Sequence, residues 1–150
     1  MAEKTVICAT EADTLRLAEK LTKLLQAPAF LARTGDLGAG KPAFVRGMGA
    51  ALGTDDVSSP TFTIVSEHNT VPRLLHFDAY RLSDADELYA IGFSDYLAEP
   101  AILVMEWAEL VSAALPRERL DVRIEGSGGD PRRITFTPRG AQYERAVQEL

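Results

Sequence analysis

The stretch GDLGAGKPAF, residues 35–44, decides the fold class that the sequence predicts. From Gly35 to Lys41 it follows the phosphate-loop pattern G-x-x-x-x-G-K, but Pro42 stands where that loop normally has Ser or Thr. Glycines let the backbone approach a ligand closely, so that successive N–H groups and one lysine can face phosphate oxygens. The same pattern also occurs in ordinary glycine turns, so its neighbours in the sequence decide its meaning.

The segments on both sides of the loop favour a phosphate site. Residues 29–33, AFLAR, form a brief apolar run that predicts a strand leading into the loop. Residues 43–52 have helical periodicity, and Gly53 is placed to end that helix. A strand, a glycine loop and a helix in this order form the arrangement that a phosphate loop of this type requires.

The rest of the chain alternates strands and helices. Thr5–Cys8 predicts a strand, and Thr10, with Asp13 three residues later, predicts the capped start of a helix. Residues 83–92 predict a helix capped by Ser83 and stopped by Gly92. The other predicted elements are strands at 61–65, 73–78 and 101–107, an antiparallel strand pair around SGGDP (127–131), and a last helix from 140. We therefore expect one three-layer α/β domain over residues 1–150, with a mostly parallel sheet, a C-terminal antiparallel hairpin, and the ligand site at the carboxyl ends of the strands.

Two acidic residues end predicted strands and are candidates for chemistry. Asp78 follows LLHF and Glu106 follows ILVM, and carboxylates at such positions can hold or orient Mg²⁺ and water beside a phosphate loop. Either acid could instead cap the turn that follows it. Thr61, after the Ser59-Pro60 turn, could direct its hydroxyl to a metal or phosphate, although threonine is also an ordinary strand residue.

Charge and composition exclude several other classes of protein. The net charge is -6 and the basic residues are scattered, which argues against autonomous binding to nucleic acid through a broad basic surface. Cys8 is the only cysteine, so an intrachain disulfide is impossible and a small buried residue on the first strand is expected. With no apolar run near 20 residues and no signal-peptide pattern, we expect a cytoplasmic protein without a membrane span.

Several motifs together resemble one family. GDLGAGK, SPTFT, HFDAYRL, IGFSDYL and VMEW occur in this order and at spacings similar to those of the bacterial TsaE family, also called YjeE or YdiB. The resemblance covers almost the whole chain, from Thr10 to about residue 144. It implies a small P-loop ATPase that binds ATP or ADP with Mg²⁺ and works with TsaD and TsaB in forming threonylcarbamoyladenosine in tRNA. Contact with tRNA would then be mainly indirect, through these partners.

The resemblance also implies roles for individual residues. Lys41, Asp78, Glu106 and Thr61 would serve catalysis, with Glu106 also contributing to Mg²⁺ binding. The residues implied for nucleotide binding are Gly35, Gly38, Ala39, Gly40, Lys41, Pro42, Ala43, Trp107, Arg132, and either Thr10 or Thr14 beside the adenine.

The chain departs from the family at Pro42-Ala43, where the pattern has Thr-Thr. Proline has neither the hydroxyl that would bind Mg²⁺ nor an N–H for a phosphate oxygen, but the first turn of a helix accepts it. One lost charge-assisted hydrogen bond weakens binding roughly tenfold to a hundredfold. A non-hydrolysing assembly factor of the same complex is therefore an alternative. A P-loop kinase for a small metabolite is a weaker one, because no inserted segment supplies a lid.

Overall fold

A computed structural model describes residues 3–35, 41–54, 65–80, 82, 84–126 and 129–150, with the backbone alone for residues 41–42. In these residues one seven-stranded sheet has the order β1-β7-β6-β2-β5-β4-β3. The strands are β1 Lys4–Cys8, β2 Ala29–Gly35, β3 Val65–His68, β4 Arg73–Asp78, β5 Ala101–Glu106, β6 Arg119–Glu125 and β7 Arg132–Arg139. The helices are α1 Glu11–Leu24, α2 Lys41–Ala51, α3 Ala85–Ala90, α4 Phe93–Leu97 and α5 Ala141–Gln148, and a 3₁₀ segment spans Ala108–Ala114.

The centre of the sheet is parallel. Strands β6, β2, β5 and β4 are neighbours in parallel register, whereas β3, β7 and β1 add antiparallel pairs at the two sides. Strand β5 lies between two parallel neighbours and all of its residues are buried, which explains its uninterrupted apolar sequence. The predicted α/β sheet with a C-terminal antiparallel hairpin, β6–β7, is confirmed.

Helices cover both faces of this sheet, as the three-layer prediction requires. On one face the core joins residues of α1, α2 and α5 to alternate residues of the central strands. On the opposite face, α3, α4 and the 3₁₀ segment cover the intervening strand residues. Because successive side chains of a strand point to opposite faces, the central strands β2, β5 and β4 contribute to both cores.

Helices α1 and α2 pack closely on the first face. A Cβ built on Gly47 of α2 would lie 2.2 Å from the carbonyl oxygen of Leu15 in α1, so only glycine allows this approach. The start of α1 agrees with the prediction: Thr10 is the N-cap and forms a capping box with Asp13. Helix α1, which follows β1, and helix α2, which follows residues 36–40, are therefore in close backbone contact.

Two predictions about helices and strands need correction or lie partly outside the described residues. The N-cap of α3 is Asp84, whose Oδ1 accepts the N–H of Glu87 at 3.1 Å, and not Ser83, which lies outside the described residues. Aspartate is as good an N-cap as serine, so the sequence did not distinguish these neighbours. Gly92 follows α3 in a left-handed conformation, as a helix stop requires, and α4 begins at the next residue. Of the strand predicted at 61–65, residues 61–64 lie outside the described residues, and Val65 is the first residue of β3.

Candidate phosphate-loop site

Four of the sequence-predicted site residues lie at one edge of the sheet. Gly35, Glu106 and Asp78 end the parallel strands β2, β5 and β4, so they lie at the same carboxyl edge. Arg132 begins the antiparallel strand β7 and is therefore at this edge too, opposite Cys8 at the end of β1. With β6 between β7 and β2, Arg132 lies two strand spacings from Gly35 across the sheet, about 10 Å, and two residues beyond Ile134, which is level with Gly35.

The loop itself lies mostly outside the described residues. This applies to Gly38, Ala39 and Gly40, and also to Thr61. Helix α2 begins at Lys41, so Pro42 is in its first turn, where the N–H groups have no intrahelical partner. Ala43, the next predicted residue, is fully buried.

Gly35 has a packing reason of its own to be glycine. Its φ is +127°, and a Cβ at this position would lie 2.0 Å from the carbonyl oxygen of Ile124 on β6. The backbone of β2 at Gly35 thus lies directly against the neighbouring strand, in a conformation that favours glycine. Only glycine can therefore occupy this last position of β2 without a clash.

Asp78, Glu106 and Arg33 form a row across three strands. Glu106 is the register partner of both Asp78 on β4 and Arg33 on β2. Along each strand, these three residues are an even number of positions from residues that pack beneath α1 and α2. Their side chains therefore face the side of the sheet on which α2 lies. The Oδ1 atom of Asp78 accepts the N–H of Tyr80 at 3.0 Å, which fixes one carboxylate oxygen toward its own turn.

Arg33 is the functional candidate that the sequence did not single out. Its Nε lies 2.5 Å from Oε1 of Glu106, and the side chains are 6% and 0% exposed. A signal was present in the sequence, because Arg33 is a charged residue at the end of the otherwise apolar run AFLAR. Charged side chains are rarely this buried unless they are paired.

A pocket of about 180 Å³ brings together three of the residues predicted for the nucleotide. Thr10, Thr14 and Arg132 line it, together with Cys8 and the turn before β7. Thr14 is buried and Thr10 is exposed at the first turn of α1. Burial raises the pKa of the Cys8 thiol, and the Thr14 hydroxyl opposes that rise. The thiol is therefore neutral at physiological pH, and Cys8 is the small buried strand residue that was predicted.

Trp107 is not among the residues that line this pocket. It has a left-handed φ of 58° at the start of the 3₁₀ segment and packs against the core on the opposite face. Its ring lies 5.0 Å from that of Tyr80, centroid to centroid. Tyr80 is 63% exposed, so the two rings form an aromatic surface beside the ends of β4 and β5.

The described residues hold no group of three or more His, Cys, Asp or Glu side chains arranged to bind a metal. The carboxylates of Asp78 and Glu106 are nevertheless of the chemical type that binds Mg²⁺, because this ion takes oxygen ligands. It commonly combines one or two carboxylates with substrate phosphates and water. In the same part of the chain, no helix is both long and apolar enough to cross a membrane.

Residues 8–134 match the family model described as threonylcarbamoyl adenosine biosynthesis protein TsaE. The chain belongs to the TsaE family. Among its relatives, the tRNA threonylcarbamoyladenosine biosynthesis protein TsaE of Bacillus subtilis is 43% identical over 134 residues, which cover 87% of this chain and 84% of that protein. The protein of the same name from Streptomyces coelicolor is 37% identical, covering 87% and 93%.

The TsaE assignment extends to the fold. The crystal structure of Bacillus subtilis YdiB superposes with a TM-score of 0.83 and 32% sequence identity, covering 99% of this chain and 93% of that one. The P-loop NTPase-like architecture predicted from the sequence is thereby confirmed. In this TsaE chain β2 ends at Gly35 and α2 begins at Lys41, on the two sides of residues 36–40.

Proposed function

We propose that this chain is an ATP-binding P-loop protein that acts with TsaD and TsaB in the formation of threonylcarbamoyladenosine in tRNA. Family membership supports the pathway. The observation that carries nucleotide binding is the convergence of Gly35, Glu106 and Asp78 at one sheet edge, directly where the loop leads into α2. The N-terminus of such a helix favours an anionic group.

In this proposal the loop and Lys41 hold the phosphates, and the nucleotide extends along the sheet edge toward α1. Gly35 and Arg132 are separated by two strand spacings across the sheet, about 10 Å, and by two further residues along β7, which suits an extended ligand such as a nucleotide. Thr10, Thr14 and Arg132 then border its far end, in the pocket at the start of α1. Trp107 and Tyr80 follow the ends of β5 and β4, which lie on the opposite side of β2 from Arg132.

Asp78 is the acid that we assign to hydrolysis, with Thr61 in the segment that would face the γ-phosphate. Asp78 is only partly buried, so a water molecule can reach its carboxylate. Bound Mg²⁺ would neutralise phosphate charge, and Glu106 is the residue proposed to help hold it. Because Pro42 brings neither hydroxyl nor N–H, we expect weak Mg-ATP binding and slow hydrolysis.

The experiment measures Mg-dependent ATP turnover with TsaD and TsaB present, for the natural chain and for Pro42→Thr with Ala43→Thr. We expect faster turnover in the double variant. Since Ala43 is fully buried, Pro42→Thr alone is the control that separates the loop chemistry from crowding at position 43. Equal turnover in all three proteins would show that Pro42 does not limit the site.

The same Pro42 supports a second candidate, a non-hydrolysing assembly factor of this complex. That function predicts association with TsaD–TsaB and no turnover in the natural chain, with activity restored only in the substituted protein. A chain that fails to associate with its own TsaD–TsaB under every nucleotide condition would refute both candidates. Transfer of labelled γ-phosphate to a molecule other than water would instead favour a small-molecule kinase.

A further inference from the structure

The row formed by Asp78, Glu106 and Arg33 contains the positively charged side chain of Arg33 at the place where the proposed function needs ligands for a metal ion. These residues are aligned in register at the ends of β4, β5 and β2. All three face the side of the sheet that α2 covers, and Gly35 begins the phosphate-loop pattern two residues after Arg33. The guanidinium therefore lies at the base of the proposed phosphate site.

The pair that Arg33 forms with Glu106 is buried. The distance from Nε of Arg33 to Oε1 of Glu106 is 2.5 Å, and as whole residues they are 5% and 0% exposed. The Nη1 atom of Arg33 is buried as well, and it has no hydrogen-bond partner among the residues that the structure describes. Burying an ion pair carries a large desolvation cost, so packing alone does not account for an arginine here.

This contact changes what Glu106 can do. The guanidinium of Arg33 is a cation that already lies against one carboxylate oxygen of Glu106. A second, divalent cation on the same carboxylate would be repelled by the guanidinium across a short, poorly hydrated distance. Pro42 also lacks the hydroxyl that the family pattern has at this position.

We propose that Arg33 is a positioning residue that holds Glu106 in an ion pair, competes with Mg²⁺ for its carboxylate, and makes nucleotide binding only weakly dependent on magnesium. The part of this inference that concerns nucleotide binding rests on the proposed function. The competition between Arg33 and Mg²⁺ for Glu106 does not depend on it. Arg33 supplies positive charge and a buried donor at the base of the loop, where a metal would otherwise neutralise phosphates.

The first test compares ATP affinity in excess Mg²⁺ and in EDTA by calorimetry. For the natural chain we expect the two dissociation constants to agree within about threefold, and for Arg33→Met we expect magnesium to improve affinity by at least about tenfold. Arg33→Lys keeps the charge and should behave like the natural chain. Arg123→Met is the matched control, because Arg123 lies on the neighbouring strand β6 with an exposed side chain and should leave the ratio unchanged.

The second test needs no nucleotide. Binding of Mn²⁺, used as a probe for Mg²⁺, is measured by electron paramagnetic resonance in the natural chain, in Arg33→Met and in Arg33→Met with Glu106→Gln. We expect Arg33→Met to bind Mn²⁺ about tenfold more tightly and Glu106→Gln to remove that gain. Equal Mn²⁺ affinity in the natural chain and Arg33→Met would overturn the inference even if ATP bound as proposed. Absence of ATP binding in every variant would refute the proposed nucleotide function, while the Mn²⁺ series would still decide the competition.

A third measurement uses the natural chain alone, in case Arg33→Met does not fold. The Nε–H resonance of Arg33 in a ¹⁵N-labelled sample reports its contact with Glu106. We expect this resonance to be unchanged when Mg²⁺ is added to the protein in the presence of ATP. A shift that EDTA reverses would show that magnesium displaces the arginine, and the inference would be wrong.

Discussion

The strand-end row and the first turn of α1 lie at the same edge of the sheet, but they are built in opposite ways. In the row, Arg33 and Glu106 are 73 residues apart in sequence and meet only because β2 and β5 pair in parallel. At α1, Thr10 and Asp13 satisfy each other's backbone groups across three residues. The comparison shows that one candidate site joins a part that needs the whole fold to a part that forms locally.

The largest expected effect comes from Gly35→Ala, which disturbs the row where β2 leaves the sheet. The new Cβ would meet a backbone oxygen that cannot move aside, and the positive φ adds strain, so we expect a loss of about 4 to 6 kcal/mol of unfolding free energy or no folding at all. Chemical denaturation measures it. Gly53→Ala is the control, since Gly53 also has positive φ but its Cβ would meet nothing within 4 Å. Similar losses at both positions would mean that strand contact contributes little.

Glu106→Leu tests the row through its charges. Arg33 would remain buried without its carboxylate, which costs about 3 to 5 kcal/mol. Adding Arg33→Met should recover much of that loss, because the uncompensated charge is then gone. Denaturation of the two single variants and the double variant completes the cycle. If the losses simply add, the two residues are not coupled.

Tyr143→Phe probes a second long-range contact, at the other end of β2. The Tyr143 hydroxyl accepts the N–H of Phe30 at 2.9 Å, so the variant leaves a buried N–H unsatisfied at a cost of about 1 to 3 kcal/mol. Burial raises the pKa of Tyr143 above its usual 10.0, although the N–H of Phe30 opposes the rise.

The same raised pKa gives a pH dependence with a definite sign. Above about pH 10 the unfolded chain loses this proton before the folded chain does, so the contribution of Tyr143 to stability decreases as the pH rises through the folded value. Unfolding measured between pH 8 and 11 should therefore decline less steeply for Tyr143→Phe. An unchanged slope would show that Tyr143 does not titrate differently in the two states.

The smallest effect is expected at the locally built region. Thr10→Ala removes half of the capping box and should cost about 1 kcal/mol. Thr10→Ser, which keeps the hydroxyl, is the matched control. A loss as large as that of Glu106→Leu would remove the distinction between the two regions.

The elements whose causes are local were predictable from the sequence. The cap at Thr10, the buried strand ending at Glu106 and the hairpin of β6 and β7 all appeared where their patterns indicated. The N-cap of α3 was wrong by one residue, because Ser83 and Asp84 satisfy the same chemistry. The positions of Asp78 and Glu106 at strand ends were predicted, but not that a single residue, Glu106, would be the register partner of both Asp78 and Arg33.

The sequence by itself determined the family, the order of most strands and helices although not α4 or the 3₁₀ segment, and the acids and glycines that surround the proposed phosphate site. Those features depend on residue type and short spacing, which the chain carries directly. Only the tertiary structure decided that Arg33 neutralises Glu106, that Gly35 is pressed against Ile124, and that Arg132 shares a pocket with Thr10. Strand order and register bring these residues together, and no local pattern in the sequence encodes which strands become neighbours.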